Sequence, residues 1–305
     1  MLWGARGMVK SNRAALHYYW AITKGDEVDV LKRAGAADVL VSYQYVLREG
    51  IRVQDLSDEF DSVLLDSGGF TLRRGGSSRG VGVVEDATTL IAQYAGFIRD
   101  CDLSIRGAFN LDLGDAEESY KIFRVLTEDY GLTNILPIWR VTEDEEWLWK
   151  YLDNGSSWVG IAGLTGYGPK QDSLVTRFNV ISRKAVGLGF GPREFRPHLL
   201  GVGASTTIRR LPGTYSVDSS AYSRIGSFAG AAGKRGEASR LIKESHRYGF
   251  RASDVDAGSG GGVNRRFGKG RDSKPRQNLK LVAALNIMKE LREAGIDVVP
   301  RKVIV

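Results

Sequence analysis

The chain has 305 residues, 42% apolar and 26% charged, enough for one large α/β domain or two small ones with a full core. Its only cysteine, Cys101, excludes an intrachain disulfide and a cysteine-based zinc cluster, and His17, His198 and His246 are too scattered to show a metal-ligand spacing. A net charge of +7 and a pI of about 9.4 favour a polyanionic partner. No apolar signal core precedes Lys10 and no apolar run reaches about 18 residues, so a soluble intracellular protein without membrane contact is expected.

In chain order, the aromatic residues Tyr18, Tyr19 and Trp20 precede Asp26, which is placed to cap a short helix through Ala34. The first strands are expected at 37–43 and 61–65. The second runs directly into Asp66-Ser67-Gly68-Gly69-Phe70, a carboxylate at a strand end followed by glycines that let backbone approach a ligand. The same residues also suit a helix cap or a turn. The basic, glycine-rich stretch 73–80 suits a lid over an anionic ligand or a plain solvated loop.

Apolar residues at three- and four-residue spacing predict a helix over 86–99, and further helices are expected at 116–130, 143–152, 172–188, 205–211 and 278–294. Between them lie strand-like runs at 105–111, 135–139, 158–164, 197–203 and 214–218, with 225–228 as the candidate eighth strand. Trp147, Leu148 and Tyr151 are expected to pack on the sheet rather than to stack on bases. Repeated strand-then-helix order with seven or eight units predicts a single domain, a (β/α)8 TIM-like barrel. The segment 252–276 reads as a flexible basic loop. Its Arg265, Arg266, Lys269, Arg271, Lys274 and Arg276 would contact phosphates with little sequence preference; a loop with no partner is the alternative.

Acidic residues recur at the predicted strand ends, Asp66, Asp112 and Asp218, which suggests one shared site at the carboxyl end of the barrel. A pair such as Asp66 and Asp218 could divide the work of retaining glycosyl transfer, one attacking an anomeric carbon while another group handles the leaving group's proton. Asp112 could then accept hydrogen bonds from a guanine-like edge, with Gly163, Leu164 and Gly203 letting backbone amides come close.

Asp66-Ser67-Gly68-Gly69-Phe70 resembles the Asp-Ser-Gly-Gly-Phe signature of the tRNA-guanine transglycosylases, and later motifs follow in the same order. Phe109-Asn110-Leu111-Asp112 resembles the segment with the family's base-reading Asp, Gly160-Ile161-Ala162-Gly163-Leu164 its glycine-rich base-binding strand, and Leu200-Gly201-Val202-Gly203 its Gly-Val-Gly segment. Tyr215-Ser216-Val217-Asp218 resembles the stretch that ends in the family's nucleophile. The resemblance implies a (β/α)8 barrel with Asp218 as nucleophile at C1′, Asp66 as general acid/base and Asp112 as base reader. Ser67, Gly68, Gly163, Leu164 and Gly203 would line the base site, Phe70 and Tyr222 would stack on the purine, and Arg224 would meet the nucleic-acid backbone.

The chain departs from that family in lacking its Cys/His zinc site, in carrying Ser219-Ser220-Ala221-Tyr222-Ser223-Arg224 in place of a Pro-Thr-Arg run, and in lacking the expected glutamine around Ile138-Trp139-Arg140. It is more similar to the branch, from phages and bacteria, that inserts 7-deazaguanines into DNA. That likeness implies exchange of guanine in DNA for a base such as preQ0, without metal or cofactor, in the cytoplasm of a bacterial or phage-infected cell. The alternatives are a compact transglycosylase acting on tRNA and a non-catalytic barrel that binds nucleic acid.

Overall fold

Short runs that are buried along most of their length form the strands, as expected for parallel sheets covered on both faces. The computed structural model describes residues 15–68, 87–165, 168–228, 243–255 and 274–301. Its strands are β1 (His17–Ile22), β2 (Asp38–Ser42), β3 (Ser62–Asp66), β4 (Gly107–Phe109), β5 (Ile135–Leu136), β6 (Ile138–Arg140), β7 (Trp158–Ala162), β8 (Arg196–Leu199) and β9 (Ser216–Ser219). All pairs are parallel, in the order β5-β4-β3-β2-β1-β9-β8-β7-β6.

β5 and β6 are two halves of one strand, interrupted at Pro137, which has no N–H to donate. The first half pairs with β4 and the second with β7, so the ring closes at this strand. The Asn110 side chain accepts the Ile138 N–H at 3.1 Å beside the break, and the Pro137 carbonyl accepts the Gly160 N–H at 2.8 Å. The protein is thus a (β/α)8 barrel of the TIM type.

The helices are α1 (Glu27–Ala34), α2 (Tyr43–Glu49), α3 (Val53–Glu59), α4 (Ala87–Asp100), α5 (Ala116–Arg124), α6 (Glu145–Asp153), α7 (Pro169–Gly187), α8 (Ser205–Arg209), α9 (Ala221–Phe228), α10 (Ala252–Val255) and α11 (Lys274–Glu293). Among the described residues no helix is long and apolar enough to cross a membrane. Alternate strand residues fill two cores. Val39, Val41, Val63 and Leu65 face the helices, while Tyr19, Leu40, Leu64, Phe109, Ile138 and Trp158 fill the barrel interior. Gly160 makes room for that interior, since a Cβ there would stand 2.9 Å from the Phe109 ring.

Three expectations are corrected. The eighth strand is β1, and residues 225–228 belong to α9. Tyr18, Tyr19 and Trp20 concealed a strand because both faces of β1 are buried, which removes the alternation that marks a strand. The segment 252–276 is helical at both ends, in α10 and in the first turn of α11; residues 256–273, with Arg265, Arg266, Lys269 and Arg271, lie outside the described residues. The α11 start is anchored because Asn278 donates to the Asp254 carbonyl at 2.9 Å and accepts from Arg33 at 3.3 Å. Asp26 occupies the N-cap position of α1 but makes no capping bond; the neighbouring Glu27 accepts the Thr23 and Lys24 N–H groups at 2.7 and 3.1 Å. The stretch 73–80 lies outside the described residues.

Glu27 and Lys280, both fully buried, form an ion pair at 2.7 Å that ties α11 to the start of α1. Burial pushes the Glu27 carboxyl upward, but the Lys280 ammonium and hydrogen bonds from Lys280, Ser223 and Thr23 outweigh it and hold the group below its ordinary value. Lys280→Met strands that carboxylate and is expected to cost about 3–5 kcal/mol. Urea unfolding at neutral pH checks this, and an unchanged midpoint with an unchanged slope contradicts it.

Candidate active site

β3 and β9 direct Asp66 and Asp218 into the barrel, since Asp66 shares a face with the interior residue Leu64, and Asp218 shares one with Ser216. Asp66 is the last residue of β3. Its carboxylate accepts the Gly68 N–H at 3.2 Å, closing a tight turn in which Gly68 has φ 76° and a Cβ would stand 2.6 Å from Gln44 Cγ. Burial, reinforced by the charges of Asp218 and Asp112, pushes the Asp66 carboxyl up to about 6, against hydrogen bonds from Gly68 and Ser42.

Asp218 Oδ1 accepts the Gly201 N–H at 2.9 Å and lies 3.1 Å from His198 Nε2. His198 is fully buried between the rings of Phe109 and Tyr19, at centroid distances of 5.0 and 5.8 Å. Its Nδ1 lies 2.9 Å from Ser216 Oγ, which accepts the Trp158 indole N–H at 3.1 Å. The Asp218 carboxylate can only accept, so in the neutral imidazole the proton on Nε2 faces Asp218, and the Ser216 hydroxyl, which accepts from the indole, donates to Nδ1. Both donors reach Oδ1; among the described residues Oδ2 accepts no hydrogen bond. His198→Phe preserves the ring slot and removes the donor to Asp218. The protein is expected to fold while any activity that depends on Asp218 falls about 10²-fold in kcat with little change in KM. Steady-state kinetics together with circular dichroism check this, and an unchanged kcat contradicts it.

Asp112 is not free to read a ligand alone, as the sequence suggested. Its carboxylate pairs with the Arg140 guanidinium, which also pairs with Glu143, and Glu143 accepts the Arg140 N–H at 3.2 Å. Arg140 is long enough to fork between two carboxylates from the end of β6, so this rim offers donors and acceptors together.

Other assignments move as well. Tyr222 is fully buried, with its ring 5.6 Å from that of Trp20 and its hydroxyl donating to the Ala21 carbonyl at 3.2 Å; it is core and cannot stack on a purine. At Gly203 a Cβ would fall 2.2 Å from Ser219 Oγ and 2.8 Å from the Tyr18 hydroxyl, so this glycine serves packing of its loop on β9 and β1. The Leu164 side chain is fully buried and its carbonyl accepts from Gln171 at 3.1 Å. Gly163 follows β7 with φ 92°, and Ser67 is buried beside Asp66. Phe70 lies outside the described residues.

Arg224 is exposed in the first turn of α9, immediately after β9, and Lys274 is exposed at the start of α11, where Arg276 is half-buried. The Gln277 side chain donates to Asp26 at 3.4 Å at the start of α1, so α11 begins at the same barrel end as Asp66 and Asp218. Residues 274–276 therefore stand at this mouth.

The sequence reading missed His198, Ser216, Trp158, Arg140 and Glu143. One signal was available for His198, a polar ring amid the apolar run Pro197-His198-Leu199-Leu200, because a buried polar group needs a partner.

The fold and the carboxylates at its carboxyl end place the chain among the (β/α)8 barrels. No family model and no curated protein matches it. Among solved structures it is similar to a Coccidioides immitis protein assigned as a fructose-1,6-biphosphate aldolase, with 11% identity, 92% of each chain covered and a TM-score of 0.55. It is also similar to the tryptophan synthase alpha chain of Legionella pneumophila, with 13% identity, 91% of this chain and 93% of that chain covered and a TM-score of 0.45. At 11% identity the likeness to the first of these concerns the fold alone.

Proposed function

We propose that this barrel is a base-exchange glycosyltransferase that replaces guanine in DNA with a 7-deazaguanine such as preQ0. The observation that carries the reading is the inward pair Asp66 and Asp218, one with its carboxyl raised to about 6 and the other with its oxygens unequally engaged. Asp218 Oδ2 attacks C1′ of the nucleoside, the C1′–N9 bond breaks, and the departing guanine takes the proton of the Asp66 carboxylic acid. The incoming base then gives its N9 proton to the Asp66 carboxylate, N9 attacks C1′, and the C1′–O bond to Asp218 breaks. Two inversions retain the configuration.

A group that must give and then take one proton works best with a pKa near the working pH, which suits Asp66. The Gly201 N–H and His198 hold the Asp218 carboxylate in one orientation for attack. The Arg140, Asp112 and Glu143 cluster suits a purine edge, which presents donors and acceptors side by side. Arg224 and Lys274 at the same mouth favour a polyanionic substrate.

Incubation with radiolabelled guanine and, in parallel, duplex DNA, single-stranded DNA and tRNA tests the reading at fixed salt. Label entering DNA alone is the expected result. Label entering tRNA alone would move the substrate to tRNA. Binding of nucleic acid with no label in any of the three would support a non-catalytic barrel.

A further inference from the structure

Ser42 ends β2 as Asp66 ends β3, and the two residues are direct partners across the parallel pair. Leu40 and Leu64, two residues earlier on each strand, both fill the barrel interior. Side chains alternate along a strand, so Ser42 and Asp66 turn into the same mouth. Ser42 is buried there, and its hydroxyl donates to the Asp66 carboxylate.

The same serine is the N-cap residue of α2, with the extended backbone (φ −81°, ψ 136°) from which a serine hydroxyl ordinarily accepts a helix N–H. Its side chain makes no capping bond. Serine is among the best capping residues, and here the hydroxyl serves the strand-end carboxylate instead. The turn after Asp66 closes against it: a Cβ on Gly68 would stand 3.1 Å from Ser42 Oγ, and the Gly68 N–H reaches the same carboxylate at 3.2 Å. The other titratable groups facing Asp66 offer it no donor. Asp218 and Asp112 repel its charge, Arg140 is paired with Asp112, and the Tyr94 hydroxyl of α4 donates to the Phe109 carbonyl at 2.7 Å.

We propose that Ser42 is a positioning residue for base exchange, whose hydroxyl holds the Asp66 carboxylate ready for the return of its proton. The inference rests on the acid/base role given to Asp66 above. A hydroxyl that donates to a carboxylate favours its charged form, and so opposes the burial that favours the neutral acid. Asp66 must be an acid when guanine leaves and a carboxylate when the incoming base arrives; Ser42 keeps the second form within reach.

Carboxyl ¹³C NMR titration of Asp66, assigned by comparison with Asp66→Asn, tests this in wild type, Ser42→Ala and Ser42→Thr, with circular dichroism to confirm folding. Ser42→Ala deletes no capping bond, so α2 keeps its start. Its Asp66 inflection is expected to rise by about half a pH unit to one pH unit, while Ser42→Thr, which keeps the hydroxyl, stays near wild type. Single-turnover rates are expected to follow. In Ser42→Ala, guanine release becomes about three- to tenfold faster at pH 8, and uptake of the incoming base about two- to fivefold slower at pH 6. An unmoved inflection in Ser42→Ala overturns the proposal and leaves the base-exchange reading intact. So does slowing of both steps alike at both pH values, the mark of a purely structural role. An inflection that moves while the release limb stays in place removes Asp66 from the acid's role, and overturns the base-exchange reading together with this inference.

Discussion

Asp66→Asn is expected to make the protein more stable at pH 7–8 while abolishing base exchange. The folded protein raises this carboxyl from 3.8 to about 6. Between these values the folded state keeps a proton that the unfolded state releases, so stability falls as pH rises through the window and the full cost is present above it. At roughly 1.4 kcal/mol per unit the shift corresponds to about 2–3 kcal/mol, which Asn recovers because it carries no charge to desolvate. That is a Tm increase of about 5 °C at pH 7.5, shrinking towards zero near pH 4. Calorimetry at the two pH values checks it, and a variant less stable than wild type at pH 7.5 contradicts it. The same group predicts the rate profile. Guanine release in the first half-reaction needs the protonated acid, so its single-turnover rate in wild type falls about tenfold per unit above pH 6.

Asp218→Asn is expected to lower exchange by about four orders of magnitude or more while the fold and nucleic-acid affinity persist. An amide oxygen can still accept the Gly201 N–H and the His198 donor, so the interior network survives. What disappears is the anionic oxygen that would form a bond to C1′. Filter binding with DNA at stated ionic strength, run beside the exchange assay, separates loss of chemistry from loss of binding. Residual exchange within about tenfold of wild type would remove Asp218 from the nucleophile role.

Much of the barrel was legible because each βα unit repeats the same local logic, an apolar run, a glycine or carboxylate, then an amphipathic helix. β1 was illegible for the reason that makes it structural: Tyr18, Tyr19 and Trp20 are all buried, one side facing the helices and the other the interior, so no polar residue marks its period. Asp66 and Asp218 stood out because they end apolar runs. Their partners did not. His198 and Ser216 lie inside strands that read as generic core, and Arg140 meets Asp112 across 28 positions, a contact created by the pairing of neighbouring strands. Tyr222 misled for the converse reason, since a tyrosine just after the strand that ends near Asp218 suits a stacking role until its ring is seen to be fully buried beside Trp20.

Intact-protein mass spectrometry after rapid quenching with a guanine-containing DNA oligonucleotide tests the central claim most directly. A covalent adduct of oligonucleotide mass minus guanine, mapping to the peptide that contains Asp218 and absent from Asp218→Asn, is the predicted result. Base exchange proceeding with no adduct at any quench time, or with an adduct on another residue, would contradict it.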